Sequence, residues 1–237
     1  MCFHYSLTKE RTEVEIQLGA RWDDDWEPIY HANGFSFPKM PIIKQPTPKI
    51  IQLSHWGLIP QWVKTKEDAD KFKAQTLNAR AETIFEKPSF RSYITNSRCL
   101  VIADGFFEWM DFKMKKYPHY IYLKKQAVFC FAGIFSDWTD KETGEHICTH
   151  SIITTEPNEM LRKIHNVKQR MPVIIPFSRH QEWLTSGLSK EEIQSFFTAY
   201  PDSEMDNHTI SKLITSRTEN SNVPEVTNLV VYPELIS

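Results

Sequence analysis

The segment Arg98-Cys-Leu-Val-Ile-Ala-Asp-Gly-Phe-Phe-Glu-Trp109 is the clearest indication of the fold, because it contains two strand-like runs joined by an Asp-Gly pair. β-Branched and aromatic residues dominate both runs, and such residues favour strands. Similar runs lie on either side. We therefore predict strands at Cys2–Ser6 (an edge strand), Ile50–Leu58, Arg98–Ala103, Phe106–Trp109, Tyr117–Leu123, Ala127–Phe135, Ile147–Thr155 and Val226–Tyr232.

Helical spacing and turn residues account for most of the remaining chain. Four prolines between Pro38 and Pro48 indicate a surface loop, and Thr139–Gly144 is typical of a hairpin tip. Because strands follow strands with helices inserted, we expect one compact α+β domain over residues 1–237, with a mixed or antiparallel sheet flanked by helices. The predicted helices are Thr8–Ala20, Arg80–Phe85, Ser89–Thr95, Asn158–Ile164, Phe177–Leu184 and Lys190–Thr198.

Composition excludes several classes of function. The net charge is −2 without a basic run, which argues against a general duplex-DNA or membrane-surface binder. No apolar stretch reaches about 18 residues, and the N-terminus lacks the pattern of a secretion signal. The four cysteines form no C-x-x-C pair, so we expect Cys99 and Cys130 to be buried free thiols in a cytoplasmic protein. The C-x-H pairs starting at Cys2 and Cys148 indicate zinc only loosely, and no cofactor is expected.

Cys2 carries the clearest chemical possibility in the chain. A small second residue normally permits removal of the initiator Met1, which would leave a cysteine with both a free α-amine and a thiol. These groups titrate near 7.7–8.0 and 8.5, so each would be partly nucleophilic at neutral pH. Both can add in turn to one aldehyde and close a thiazolidine ring. The alternative is that Cys2 merely begins a strand.

Three short polar islands could supply partners for such chemistry, although each has an ordinary structural explanation. Asn78 could cap a helix, Asp104-Gly105 could form a plain turn, and His165 could favour a helix end. The islands are Leu77-Asn-Ala-Arg-Ala-Glu-Thr83, Ile102-Ala-Asp-Gly-Phe-Phe-Glu-Trp109 and His165-Asn-Val-Lys-Gln-Arg-Met-Pro172.

Together with Met1-Cys2, Trp56-Gly-Leu-Ile-Pro-Gln-Trp62 and His208-Thr-Ile-Ser211, the islands resemble the SRAP family (SOS-response-associated peptidase) over nearly the whole chain. The resemblance implies a compact domain with a curved, barrel-like sheet. It also implies a monomer, associated with the nucleoid when bound to DNA, that crosslinks to abasic sites in single-stranded DNA without a metal or membrane.

The resemblance assigns active-site roles to five residues. Cys2 matches the residue that bonds to the abasic aldehyde, and Asn78 matches a residue that holds the N-terminus. Glu108 and His165 match the active-site carboxylate and histidine, and Thr154 matches a pocket hydroxyl. From general chemistry we expect a histidine with a pKa near 6.5 to protonate the sugar ring oxygen while Glu108 shuttles a proton. Asn78 would accept a hydrogen bond from the amine.

A second group is expected to contact DNA. Arg80 matches a phosphate ligand, and Arg170 and Pro172 match the channel border. The chain departs from the common Met-Cys-Gly-Arg start by carrying Phe3 and His4, so a partly charged histidine replaces a bidentate phosphate donor. Three additional residues follow His165, and Lys168 among them could reach a phosphate.

Stacking aromatic residues should complete a single-strand groove. The candidates are Trp56, Phe106 and Phe107, with core packing as the alternative for each. Other functions remain open at this point. An N-terminal-nucleophile hydrolase such as a glutamine amidotransferase domain, a thiol autopeptidase and a non-catalytic reader of modified bases would all fit an N-terminal cysteine or a DNA groove.

Overall fold

The protein is represented by a computed structural model that describes residues 2–235. Within that part of the chain, the strands are β1 His4–Leu7, β2 Arg21–Trp22, β3 Ile29–Asn33, β4 Lys39–Lys44, β5 Ile50–Trp56, β6 Asn78–Arg80, β7 Arg98–Ala103, β8 Gly105–Phe112, β9 Lys115–Leu123, β10 Phe129–Thr139, β11 His146–Thr155, β12 Met171–Pro172, β13 Ile174–Ile175 and β14 Met205–Thr209. The helices are α1 Arg11–Leu18, α2 Lys66–Gln75, α3 Arg91–Asn96, α4 Glu159–Ile164, α5 His180–Trp183 and α6 Lys190–Gln194.

Five strands close into a barrel. β11, β10, β7, β4 and β5 pair in that order, each neighbour antiparallel to the next. Parallel pairing of β11 with β5, through Thr149 opposite His55 and His150 opposite Trp56, completes the ring. Closure leaves these five strands without an open edge, which protects them from pairing with other chains.

A second, five-stranded sheet in the order β14-β9-β8-β1-β3 packs against this barrel. Tyr5 of β1 contacts Trp56 and Phe131, and Phe106 of β8 contacts the same Phe131 ring edge-on. All four side chains are fully buried. The chain is therefore α+β with curved, barrel-like mixed sheets and a few helices, and this confirms the predicted fold class.

The N-terminal strand does not lie at an edge, contrary to the prediction. β1 pairs with β8 on one side and with β3 on the other, both antiparallel. β3 was not predicted, since Ile29–Asn33 mixes apolar and polar residues without clear alternation. The start of the chain is consequently held in the interior of a sheet.

The proline-rich segment is also a strand rather than a surface loop. β4 lies between β5 and β7, and its pairing with β7 begins at Ile42. Pro41 lies just before that ladder and faces only Leu53 of β5, so its missing N–H disrupts no hydrogen bond to β7.

Two further predicted elements have a different structure. The predicted helix Arg80–Phe85 is wrong, because Asn78–Arg80 pairs in parallel with β11 as β6 and the following residues form turns. The predicted strand Val226–Tyr232 is also wrong, since Pro224–Thr227 forms a 3-10 turn and only Leu229 makes an isolated bridge. In both places contacts distant in sequence outweigh local propensity.

The Asp104-Gly105 pair joins β7 to β8 without a wide turn. A Cβ at Gly105 would lie 2.2 Å from the Tyr120 ring, so only glycine permits this close approach of ring and backbone. The hairpin tip does match its prediction: β10 ends at Thr139, β11 begins at His146, and Gly144 adopts a positive φ of 75°. Within residues 2–235, none of the helices is long and apolar enough to span a membrane.

Candidate active site at the N-terminal strand

Asp104 fixes the position of the N-terminal strand. One carboxylate oxygen accepts a hydrogen bond from the Ser6 hydroxyl at 2.6 Å. The other accepts from the Thr8 backbone N–H at 2.7 Å and the Thr8 hydroxyl at 2.5 Å. Both hydroxyls are thus used to hold the strand, and the helix predicted over Thr8–Ala20 begins later, at Arg11. The sequence signal for Asp104 was interpreted only as a turn.

Cys2 is buried next to Asn78. The Asn78 side-chain N–H donates to the Cys2 carbonyl at 2.8 Å, and β6 holds Asn78 through its parallel pairing with Ile152. The Cys2 thiol donates to the His4 carbonyl at 3.6 Å. Asn78 thus fixes the N-terminus, but through its donor and not through the acceptor that was expected. Its side-chain oxygen is buried and has no partner among residues 2–235.

The Cys2 thiol is not poised near neutrality. Burial, followed by the negative charge of Glu108, raises its pKa far above the ordinary value. The expectation of an available thiolate is therefore wrong for this structure. Glu108 lies in β8, the strand that pairs with β1, and it lines a pocket together with Phe3 and His4, the two residues that follow Cys2.

Glu108 is a buried carboxyl in β8, with 3% of its surface exposed. Burial raises its pKa to about 8, so it is mostly protonated at pH 7. One of its oxygens, Oε1, has no hydrogen-bond partner among the described residues. A neutral carboxylic acid in this position can donate a proton, whereas a carboxylate could not.

His165 follows α4 and faces this carboxyl. Its Nε2 lies 3.6 Å from Glu108 Oε2, and its Nδ1 lies 2.8 Å from the Arg170 carbonyl. Since a carbonyl oxygen can only accept, Nδ1 carries the proton and Nε2 is the acceptor in the neutral ring. Burial lowers the pKa of His165 to about 4, so the ring is neutral at pH 7 and the expected value near 6.5 is wrong.

The Arg170 guanidinium is held by hydrogen bonds within the protein, while its carbonyl binds His165. Its guanidinium makes two hydrogen bonds to the Glu82 carboxylate, at 2.8 and 2.9 Å, and one to the Thr154 carbonyl at 2.6 Å. It also donates to the Thr154 hydroxyl at 3.3 Å. These contacts occupy most of the Arg170 donors, so its place at the border of a DNA channel stays a prediction, as does the pocket role of Thr154, whose side chain is fully buried. Glu82 was not identified from the sequence.

His4 presents a neutral ring where a partial charge was expected. Its Nδ1 lies 2.8 Å from Nε2 of His31, and burial followed by the charge of His31 lowers its pKa to about 3. A neutral imidazole carries no charge for a phosphate and cannot act as the bidentate donor that an arginine would be at this position.

The aromatic candidates belong to the core. Trp56, Phe106 and Phe107 are fully buried, so none exposes a ring face to a base and the stacking prediction is wrong for all three. The alternative of core packing applies to each. Pro172 is likewise buried, in β12 opposite Thr154.

Two pockets open near this cluster. The first, of about 340 Å³, contains both Glu108 and His165. The predicted contact residue Lys168 is exposed and lines it. The second, of about 350 Å³, contains Asn78 and the exposed Arg80. The first is lined by Phe3, His4, Glu108, Trp109, Asp111, Lys116, His165, Val167, Lys168 and Thr215.

The three cysteines that follow Cys2 in the sequence are free thiols. Cys99 and Cys130 are buried free thiols, as predicted. Among residues 2–235, no group of three or more His, Cys, Asp or Glu side chains is arranged to hold a metal ion.

With this geometry in place, the chain can be compared with known proteins. A sequence model of the family described as SOS response associated peptidase (SRAP) matches residues 1–217. The chain belongs to the SRAP family. As a SRAP protein it is 40% identical over 226 residues to the abasic site processing protein YoqW of Bacillus subtilis (strain 168), covering 93% of this chain and 97% of YoqW.

Other relatives agree in fold and family. The abasic site processing protein HMCES of Xenopus tropicalis is 26% identical over 207 residues, covering 78% of this SRAP chain but 59% of HMCES. A crystal structure of a protein from Bacteroides thetaiotaomicron matches with a TM-score of 0.91 and 39% identity, over 97% of this chain and 100% of that one. The barrel and its accompanying sheet are thus the SRAP fold.

Proposed function

We propose that this protein recognises abasic sites in single-stranded DNA and bonds to them covalently through Cys2 after removal of Met1. YoqW and HMCES carry the name of abasic site processing proteins, which supports the substrate. An abasic sugar in its open form exposes an aldehyde, the electrophile that an N-terminal aminothiol captures best.

The arrangement around Cys2 carries this proposal. Asn78 grips the Cys2 carbonyl at 2.8 Å, and two buried acceptors, Asn78 Oδ1 and Glu108 Oε1, have no partner among residues 2–235. Buried acceptors without donors are costly. Removal of Met1 would turn the Cys2 backbone nitrogen into an amine with additional N–H groups, and these could satisfy such acceptors.

The amine attacks first. The thiol is buried and its pKa is raised, so sulfur is a poor nucleophile at the start of the reaction. The neutral amine adds to the aldehyde carbon to give a carbinolamine, which loses water to give an imine. The Cys2 sulfur then bonds to the imine carbon while the thiol proton passes to the nitrogen, and the thiazolidine is complete with one water released. A thiolate-first peptidase is less well supported by the buried thiol.

Glu108 and His165 divide the proton transfers. The protonated Glu108 donates to the ring oxygen as the sugar opens, while His165 Nε2 takes the proton that the anomeric hydroxyl loses. That proton then returns from Nε2 to Glu108, whose Oε2 lies 3.6 Å away, and Glu108 donates again to the oxygen that leaves the carbinolamine. His165, with Nδ1–H bound to the Arg170 carbonyl, accepts at Nε2. These roles are the reverse of those expected from ordinary pKa values.

DNA binding is assigned to the two pockets. Arg80 and Lys87 line the one beside Asn78, while Lys116 and Lys168 line the one beside Glu108. Four cations suit a short stretch of single strand, and the net charge of −2 keeps general DNA binding weak.

Denaturing gels of the mature protein incubated with abasic single-stranded DNA test the proposal. We expect a heat-stable adduct with the wild type, none with Cys2→Ala, and only a labile product with Cys2→Ser. Cys148→Ser is the matched control and should crosslink normally, because this partly exposed thiol lies outside both pockets. A stable adduct with Cys2→Ala would refute the proposal.

A further inference from the structure

Three polar side chains, linked by hydrogen bonds, lead away from the site. His4 Nδ1 lies 2.8 Å from His31 Nε2, and His31 Nδ1 lies 2.7 Å from the Ser221 hydroxyl. His4 is in β1, His31 is in β3, and Ser221 belongs to the segment after β14. This series of hydrogen bonds therefore connects the strand that carries the N-terminus to the C-terminal part of the protein.

The inner end of this series opens into the pocket that contains Glu108 and His165. His4 lines that pocket, and Nδ1 is taken by His31, so Nε2 is the ring nitrogen left for the pocket. Nε2 of His4 is therefore either accessible from the pocket or hydrogen-bonded, since it does not belong to the buried atoms without a partner among residues 2–235. At the outer end, Ser221 is only partly buried.

Surrounding rings hold both imidazoles in place. Trp109 meets the His4 ring edge-on at 4.8 Å, and Phe107 meets the His31 ring edge-on at 5.5 Å. Neither ring can turn without breaking this packing. A fixed row of hydrogen-bonded imidazoles is suited to passing protons along its length.

We propose that His4, His31 and Ser221 form a proton relay between the covered active site and solvent. This inference rests on the proposed function. There the α-ammonium of Cys2 must lose a proton before its nitrogen can attack, and DNA lying over the pocket would keep bulk water out. The relay gives that proton an exit that DNA does not block.

One proton enters the relay at His4 and one leaves it at Ser221. At the start, His4 Nδ1–H donates to His31 Nε2, and His31 Nδ1–H donates to Ser221. The proton from Cys2 arrives at His4 Nε2, by way of water or a sugar hydroxyl. The Nδ1 proton of His4 then moves to His31, the Nδ1 proton of His31 moves to Ser221, and the original hydroxyl proton of Ser221 leaves to solvent. Each hydrogen bond reverses, and all three groups end neutral.

Burial of the two histidines favours a concerted shift of protons over an intermediate in which one ring carries a positive charge. Burial lowers the pKa of His4 to about 3 and that of His31 to about 4, so neither ring remains an imidazolium at neutral pH. The charged and titratable groups that share the pocket with His4 are Glu108, Asp111, Lys116, His165 and Lys168.

The outer member of the relay lies beyond residues 1–217, which the family model matches. The neighbouring Asn222 accepts hydrogen bonds from the backbone N–H groups of Tyr30 and His31, at 2.8 and 3.2 Å. Asn222 thus fastens the same segment to β3 without joining the relay. This difference between Ser221 and Asn222 provides a matched pair of variants.

Crosslinking rates on abasic single-stranded DNA in weak buffer form the first arm of the test. Loss of a positioned proton-transfer group typically costs about 10²-fold or more, so we expect His31→Gln to be slowed by about that factor and Ser221→Ala by less. Asn222→Ala should react at close to the wild-type rate. Added imidazole should speed His4→Ala and leave the wild type unchanged. Equal slowing by Ser221→Ala and Asn222→Ala, or the absence of imidazole rescue, would overturn the relay.

Nitrogen NMR of the free, ¹⁵N-labelled protein forms the second arm and does not depend on crosslinking. We expect both rings to be neutral at pH 7. Ser221→Ala should change the distribution of the proton between the two nitrogens of His4, although Ser221 does not touch that ring. An unchanged His4 spectrum would overturn the relay even if the wild type crosslinks normally, whereas a wild type that fails to crosslink would contradict the proposed function alone.

Discussion

Replacing Glu108 with glutamine should stabilise the folded protein at mildly alkaline pH. The Glu108 side chain is buried at the edge of a pocket, and burial raises its pKa from an ordinary 4.5 to about 8. Between these values the unfolded chain has released its proton while the folded chain keeps it. Folding stability therefore falls as pH rises through this window, by about 1.4 kcal/mol per pH unit. Glutamine has nearly the same shape and does not ionise.

The expected size follows from that slope. Over the full window the penalty reaches about 5 kcal/mol at pH 8, as an order of magnitude. His165 acts in the opposite direction, because burial lowers its pKa to about 4 and its contribution to stability grows as pH rises from 4 to about 6.5. The two effects oppose each other below pH 6.5. Between pH 6.5 and pH 8 only Glu108 contributes, and it should lower the free energy of unfolding by about 2 kcal/mol.

Thermal or urea unfolding of wild type and Glu108→Gln at pH 6.5 and pH 8 measures this difference. For a chain of this size, about 2 kcal/mol corresponds to about 4–8 °C in melting temperature. The melting temperature of Glu108→Gln minus that of the wild type should therefore be larger by this amount at pH 8 than at pH 6.5. Glu82→Gln is the control of opposite sign. Burial alone would raise the pKa of Glu82, but its hydrogen bonds from Arg170 hold that pKa below the ordinary value, so its loss should destabilise. A stability difference between wild type and Glu108→Gln that does not change with pH would show that Glu108 is already ionised, and the assignment of Glu108 as an acid would fail.

Three other predictions concern DNA binding and folding. Arg80→Ala should reduce the slope of log affinity against log salt on single strands by about 0.7, from a wild-type value of roughly −2 to −3, as measured by fluorescence anisotropy; an unchanged slope would remove Arg80 from the DNA path. Crosslinking should be faster on an abasic single strand than on the same strand annealed, because unstacking a duplex costs a few kcal/mol, and equal time courses would contradict a cleft that needs a bent strand. Gly105→Ala should lower the free energy of unfolding by about 1–3 kcal/mol in urea titrations, since its Cβ would meet the Tyr120 ring at 2.2 Å, and a neutral effect would show that the ring moves freely.

The sequence predicted the strands that are rich in β-branched residues. Arg98–Ala103 and Ile147–Thr155 were recognisable because isoleucine, valine and threonine favour strands, even where polar side chains lie among them. β4 was missed because Pro41 normally argues against a central strand, and only the register shows that this residue lies outside the ladder to β7. β6 was missed because three residues, Asn78–Arg80, carry no periodicity.

The candidate site was predicted from its motifs, but the protonation states of its side chains were not. A sequence identifies Glu108 and His165 as titratable residues, whereas their pKa values depend on burial that only the folded chain defines. Partners distant in sequence were hidden for the same reason. Glu82 neutralises Arg170 across 88 residues, and Ser221 reaches His31 across 190. Such pairs leave no local signal in one sequence.

The mass of the intact protein after incubation with an abasic single-stranded oligonucleotide shows whether Cys2 bonds to the abasic aldehyde. We expect a mature protein that lacks Met1, and an adduct whose mass equals that protein plus the oligonucleotide minus one water. Digestion should place the DNA remnant on the peptide that begins with Cys2. An adduct mapped to a lysine or to another cysteine, or a processed protein that forms no adduct, would contradict a bond through Cys2.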